Sequence, residues 1–351
     1  MSRVTVIYSE KYLKHRTGNH PESPARLKRA IATIRESKLS MQGHVEIVPP
    51  EKASLEDVAK VHDRSLINEI KDLAERGGGL IAPDTVVSPN SFEVALLAAG
   101  GAIKGVKLAI RGGKNRIFAL IRPPGHHASH GIAKGFCIFN NIAIAAHKAL
   151  ELGVKRVLIL DWDAHHGDGT QKIFYETDKV LYISTHQDGR TLYPGTGFIN
   201  EVGREEGEGY NINIPLPPGA TGTQAVKAIE EIVLPIVDEY KPEIVMISAG
   251  YDAHHADMIS DLKFTTNTYY KLAEISTSIS KAHANSRMIA LLEGGYHLKY
   301  MPLSVLNTLC AMAEKEPEHT ENEHYTHPSI ERYVELLIKK IKRVLSKYWS
   351  L

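Results

Sequence analysis

Two cysteines, Cys137 and Cys310, are all that the 351 residues contain. They cannot build a disulfide framework, so packing and not cross-linking has to hold the fold. No apolar run approaches the roughly 18 residues of a membrane-spanning helix. Net charge is also lacking: 42 basic and 41 acidic side chains leave +1, and no global field draws the chain toward nucleic acid or an anionic membrane. The glycine clusters at 77–79 and 203–209 lack a phosphate-loop pattern. No Pro/Ser-rich linker divides the sequence, and Met1-Ser2-Arg3 leads into an apolar stretch without the layout of a signal peptide. These absences predict one domain over 1–351 in a reducing, cytoplasmic setting, with no direct nucleic-acid or membrane partner. Homo-oligomerisation stays open.

What is present is a globular composition, 43% hydrophobic and 24% charged. Short β-branched or apolar runs recur at 4–8, 116–121, 156–160, 180–184, 243–248 and 288–292. Helical periodicity is clearest at 91–110, 140–152, 223–240, 266–284 and 330–348. The alternation predicts an α/β fold, a single domain with a central parallel sheet flanked by helices on both faces. Chemistry in such folds gathers beyond the carboxyl ends of the strands. The residues there are Arg122-Pro-Pro-Gly-His-His127, Asp161-Trp-Asp-Ala-His-His-Gly-Asp168, Thr185-His186, Ala249-Gly-Tyr-Asp252 and Glu293-Gly-Gly-Tyr296. Nearly every metal-binding or proton-transferring side chain of the dense polar clusters falls in these five places.

An extended chain would set Asp161, Asp163 and His165 on one face, because the strand period is two. Its outer members would lie roughly 13 Å apart at about 3.3 Å per residue. That is too far to share one ion with bonds of about 2 Å. Two adjacent members can share one, leaving the third to orient a neighbour, and Asp252 is the best candidate for the missing ligand. Two carboxylates and one imidazole leave a position open for water, the mark of a catalytic zinc site; iron, manganese or cobalt also suit oxygen-rich ligation. His126-His127 follows a Pro-Pro-Gly turn that limits how the rings are presented. Paired imidazoles divide proton work, one accepting from water while a carboxylate orients the other; Asp161 and Asp168 are the spare carboxylates. Tyr296, reached through two glycines, can donate its hydroxyl to a developing oxyanion.

Seven segments in order resemble the histone deacetylase family over about residues 18–300. They are His20-Pro-Glu-Ser-Pro-Ala-Arg-Leu27, Arg122-Pro-Pro-Gly-His-His-Ala128, Gly135-Phe-Cys-Ile-Phe-Asn-Asn141, Asp161-Trp-Asp-Ala-His-His-Gly-Asp-Gly-Thr170, Tyr193-Pro-Gly-Thr-Gly197, Ser248-Ala-Gly-Tyr-Asp252 and Glu293-Gly-Gly-Tyr296. The Arg-Pro-Pro-Gly-His-His form looks like the class II and prokaryotic branch, which includes acetylpolyamine amidohydrolases. The resemblance implies zinc on Asp163, His165 and Asp252, with His127 as general base and acid backed by Asp168. It implies His126 as electrostatic partner backed by Asp161, and Tyr296 polarising the scissile carbonyl. Gly135, Phe136 and Tyr193 match the acyl-lysine tunnel, and Asp84 the rim aspartate that holds substrate amides. Arg26 matches the arginine of an internal acetate cavity. Ser184, with the backbone carbonyls from Asp161 through Asp163 to His165, matches a structural potassium site, and Phe174 a second. The implied reaction is metal-assisted hydrolysis of an acylated amine.

Ile259 matches a gatekeeper position where polyamine-selective relatives carry glutamate, so the substrate leans away from polyamines; Met258 replaces a proline usual before it. A dedicated acetylpolyamine hydrolase is one alternative and a silent acyl-amine binder another, though a binder has no use for Tyr296 or both histidines. A two-manganese arginase type fits the single-ion ligand set poorly. His254 and His255 are expected to be solvated, as are His319, His324 and His327 in their acidic stretch. Cys137 is expected to be a buried thiol and no nucleophile. The C-terminal helix, with Lys339-Lys-Ile-Lys-Arg343 on one side and Leu337, Ile338, Ile341, Leu345 and Trp349 on the other, is expected to pack on its own domain.

Overall fold

Eight strands in a computed structural model form one parallel sheet, in the order β2-β1-β5-β10-β9-β6-β7-β8. The strands are β1 (Val4–Ile7), β2 (Val45–Val48), β5 (Arg116–Ala119), β6 (Val157–Asp161), β7 (Val180–Gln187), β8 (Asn211–Leu216), β9 (Ile244–Ala249) and β10 (Met288–Leu292); β3 (Gly79–Ala82) and β4 (Thr85–Val87) make a separate antiparallel hairpin. The structure describes residues 3–113 and 115–351, so Met1 and Ser2 of the amino-terminal stretch lie outside the described residues. Every residue of β5, β6, β9 and β10 is buried. This explains why the sequence shows continuous apolar runs there and no alternation: helices cover both faces.

All six expected strands are present within a few residues of their expected limits. The two edge strands were not foreseen. β2, Val-Glu-Ile-Val, is short and mixes charge into its run; β8, Asn-Ile-Asn-Ile-Pro-Leu, carries asparagines and Pro215. An edge strand tolerates proline because its outer amides pair with nothing. The expected helix at 223–240 is one rod with a defect: Gly222–Ala228 and Leu234–Tyr240 are joined by a π turn at Ile229–Val233. Pro235 has no amide hydrogen for the preceding turn, and the widened turn accommodates that loss.

The C-terminal helix, Pro328–Leu345, buries Leu337, Ile338, Ile341 and Leu345 against the domain, and Trp349 Nε1 donates to the Gly209 carbonyl at 2.8 Å. Among the described residues no helix is long and apolar enough to cross a membrane.

Candidate active site and metal centre

The sheet delivers its polar clusters to one end. After Asp161 the chain leaves the strand in tight side-chain turns: Asp161 Oδ1 accepts the Asp163 amide at 3.1 Å, and Asp163 Oδ1 accepts the His165 amide at 2.9 Å. The extended Asp-x-Asp-x-His geometry expected from sequence is therefore wrong, because each aspartate folds the chain over its own carboxylate. Asp163 and His165 turn toward Asp252, while Asp161 turns away to His126.

His165 Nδ1 lies 3.1 Å from Asp163 Oδ1 and 2.9 Å from Asp252 Oδ2. One ring nitrogen cannot give its single proton to both. Bonds of about 2.0–2.1 Å in a tetrahedron separate ligand atoms by roughly 3.3 Å, so this triangle fits one zinc-sized cation. Although burial acts downward, the two carboxylates raise His165 to about 10, a sign of how strongly the spot favours positive charge. Further hydrogen bonds aim the carboxylates: Gly294 N donates to Asp163 Oδ2 and Ala164 N to Asp252 Oδ1, both at 2.9 Å. A Cβ on Gly294 would sit 2.5 Å from Asp252 Oδ2 and 2.6 Å from Asp163 Oδ2, so only glycine lets the backbone come this close.

The adjacent histidines are paired off separately. His126 Nδ1 is 3.1 Å from Asp161 Oδ2, and His127 Nδ1 is 2.8 Å from Asp168 Oδ1. Burial pushes His126 down, but Asp161 and Asp163 outweigh it and hold the ring well above its ordinary value. Burial and the charge on His126 bring His127 down to about 4, against the pull of Asp168. Two neighbours of one residue type are thus set for opposite protonation states.

Three further side chains hold these pairs; Lys134 and Tyr182 carry no mark in the sequence, while Glu293 stands in the strand-end segment Glu293-Gly-Gly-Tyr296 without an expected role. Lys134 Nζ lies 2.5 Å from Asp168 Oδ2; with His127 it overrides the upward effect of burial and keeps Asp168 at about 2. Tyr182 donates its hydroxyl to Asp161 Oδ2 at 3.0 Å. Glu293 Oε2 accepts the Gly125 and His126 amides at 2.7 and 3.2 Å, fixing the histidine turn, and burial pushes this carboxyl up to about 7. A lone lysine or tyrosine on a distant segment has no spacing that would have marked it.

Above the cluster opens a cavity of about 280 Å³, lined by both histidines, Asp163, His165 and Tyr296, by Gly135, Phe136 and Tyr193, and by Asp84 and Ile259 at its mouth. Phe136 stands edge-on to Tyr296 at 5.7 Å, and Tyr193 edge-on to His127 at 5.2 Å. Gly135 is left-handed at φ +59°, and a Cβ there would strike the His127 ring. Asp84, at the tip of the β3-β4 hairpin, accepts the Gly135 amide at 3.1 Å. Buried Cys137 lines the base with its thiol pushed well upward by burial. Tyr296 is anchored by its amide, which donates to Asp257 Oδ2 at 2.6 Å.

The remaining expected residues do not line this cavity. Arg26 lies behind Tyr296, its guanidinium carbon 4.8 Å from the ring centroid, and donates to the carbonyls of Gly295 and Glu293 and to Glu22. Ser184 pairs in register with Asp161 and contacts His186 Nδ1 at 2.7 Å, and Phe174 stacks on His147 at 5.5 Å. The expectation of solvated loop histidines fails for His254, which is sealed from solvent, while His255 still reaches the surface; both face Glu321. Folding brings that glutamate across 67 positions of sequence, a distance that local spacing cannot register.

A metal-type ligand set beside two histidine–carboxylate pairs at the carboxyl end of a parallel sheet defines a hydrolase. Residues 20–312 match the histone deacetylase domain. The chain is similar to a probable deacetylase of Archaeoglobus fulgidus, 42% identical over 98% of both chains. It is also similar to a histone deacetylase-like amidohydrolase of Pseudomonas aeruginosa, 36% identical over 81% of this chain and 74% of that one. Among solved structures, the HD domain of HDA15 superposes with a TM-score of 0.90 at 30% identity, covering 99% of this chain and 95% of the other. The chain belongs to the histone deacetylase family.

Proposed function

We propose that this protein hydrolyses acyl amides, acetyl foremost, of lysine side chains or related amines, using one zinc ion held by Asp163, His165 and Asp252 within one catalytic domain. The observation that carries this is the convergence of one ring nitrogen and two carboxylate oxygens at the foot of a narrow cavity, with an oppositely tuned histidine pair alongside. Zinc bound there would supply Lewis-acid activation of the amide carbonyl and of water.

The chain's own groups then divide the work. His127, neutral at pH 7, takes the proton of the attacking water at Nε2 while Asp168 holds Nδ1. His126, kept charged by Asp161, stabilises negative charge. Tyr296 donates its hydroxyl to the carbonyl oxygen as that oxygen gains charge. His127 returns the proton to the departing amine. Gly135, Phe136 and Tyr193 enclose the aliphatic stem and exclude water, and Asp84 stands where substrate amides would approach. Arg26 behind Tyr296, and potassium near Ser184 and Phe174, belong to the same reading, as does a cytoplasmic setting. Apolar Ile259 offers a second ammonium no attraction, which favours lysine over polyamine.

The test is a panel of acetyl-lysine peptides, acetylated polyamines and longer-acyl lysines, with carboxylate release measured for the zinc-loaded protein. Turnover on acetyl-lysine that disappears on chelation and in Asp163→Ala is expected. No turnover on any member, or turnover indifferent to both changes, would sink the proposal.

A further inference from the structure

The loop that follows Asp252 carries a second gathering of ligand-type side chains, outside the cavity. His254 Nε2 lies 3.0 Å from Glu321 Oε2, and His255 Nε2 lies 3.3 Å from Glu321 Oε1. One atom from each of the three falls within 4.8 Å of the others. His324 packs its ring 4.1 Å from that of His255, and Tyr300 stacks on His254 at 4.4 Å and 19°. Glu321 is held by a further bond, accepting the Thr266 amide at 2.8 Å at the start of the helix Thr266–His283. His254 is buried, while His255 and Glu321 reach the surface, so the cluster is both preformed and open to solvent ions.

We propose that His254, His255 and Glu321 form a second cation site for a first-row transition ion of the zinc type, with His324 packed against His255 beside it. Two imidazole nitrogens and one carboxylate oxygen suit zinc, cobalt or nickel and not magnesium or calcium, which demand oxygen. Bonds of about 2.0–2.2 Å set ligand atoms roughly 3.3 Å apart, close to the spacing already present between each imidazole and Glu321.

One contact opposes it. The Ala256 amide lies 3.2 Å from His254 Nδ1, the nitrogen that would hold the ring proton once Nε2 is ligated. That part of the loop has to yield, so this site fills after the Asp163 site. Its effect would be mechanical. The ion would tie the loop at 253–259 to the segment at 313–327, and that loop carries Asp257, which accepts the Tyr296 and His297 amides at 2.6 and 3.0 Å.

Metal-stripped protein dialysed against zinc alone, with ions per chain measured by elemental analysis, tests this without reference to turnover. Wild type is expected to hold two ions, and His255→Ala and Glu321→Gln one each. Glutamine keeps an acceptor for the Thr266 amide, so the second variant guards against a folding artefact. Asp163→Asn should instead lose the other ion. The proposal is overturned if wild type holds one ion, if both His255→Ala and Glu321→Gln still hold two, or if the second ion vanishes only in Asp163→Asn, which would place it beside the first.

Discussion

At the carboxyl ends of the central strands, Asp161, Asp163, Asp252 and Glu293 are sealed from solvent, as are His126 and His127 on the turn that follows β5. At the amino ends of β6 and β9, Lys155, Arg156 and Glu243 stay partly or fully exposed. Taking an ion out of water costs several kcal/mol unless it is paired and hydrogen-bonded. The carboxyl end meets that condition side chain by side chain: His126 with Asp161, His127 with Asp168, His165 with Asp163 and Asp252. The amino ends of β6 and β9 have no such requirement, and their ion pair is incidental. The same sheet therefore concentrates costly, mutually dependent charge where chemistry is done and leaves ordinary surface at the other end.

Removing a member of the buried array should be felt first in turnover. In His127→Ala, kcat for an acetyl-lysine peptide is expected to fall by about 10²–10⁴, the usual contribution of a placed general base. Stability should change little, because Asp168 keeps Lys134 as a partner. A variant that retains most of its turnover would take His127 out of the proton path. Tyr296→Phe should cost somewhat less, about 10²–10³ or about 2.7–4 kcal/mol of transition-state stabilisation, as for a lost oxyanion donor. Its readout is kcat with KM unchanged. A loss confined to KM would make the hydroxyl a binding group only.

This contrast also decides what could be seen in the sequence. Strands buried on both faces announce themselves as apolar runs, and the clusters that follow them were found by asking what lies at their carboxyl ends. The triangle of Asp163, His165 and Asp252 was legible because Asp163 and His165 are near neighbours and Asp252 ends another strand. Lys134 and Tyr182 were not, nor the partners of Glu293, since a buried network assigns partners by three-dimensional proximity alone. Edge strands β2 and β8 were missed for a different reason: half-exposed segments tolerate polar residues and proline, and the strand signal fades. His254, His255 and Glu321 combine both failures, two loop histidines and a glutamate far along the chain.

Below the histidine turn lies a buried imidazole that sharpens the comparison from the side of stability. His62 Nε2 accepts the Asn140 amide at 2.8 Å, so its proton sits on Nδ1 and goes to the Ser129 carbonyl at 2.7 Å. Protonation would destroy the first bond, and burial lowers this ring to about 4. The unfolded chain, with an ordinary value near 6.5, then binds the proton first as pH falls. The contribution of His62 to stability should be complete above about pH 6.5 and lost progressively between about 6.5 and 4, by about 3 kcal/mol in full. Urea unfolding across this window is expected to show that slope, and His62→Gln to reduce it by the equivalent of one proton. An unaltered slope in the variant would assign the titration to another group.

The smallest effect is expected at the amino end. Arg156 Nη2 lies 3.4 Å from Glu243 Oε1, both side chains about a third exposed or more, and Arg156 Nε donates to the Lys241 carbonyl at 2.8 Å. Exposed pairs of this kind contribute about 0–1 kcal/mol, so Arg156→Ala should move the urea midpoint only slightly, and less as salt is raised. Turnover should not move at all. Arg156 and Asp161 are separated by the length of β6, roughly 17 Å at about 3.3 Å per residue, beyond the screening length of about 10 Å at 0.1 M salt. A change in kcat/KM in this variant would mean that charge at one end of the strand is felt at the other, and the division between a costly end and an ordinary one would fail.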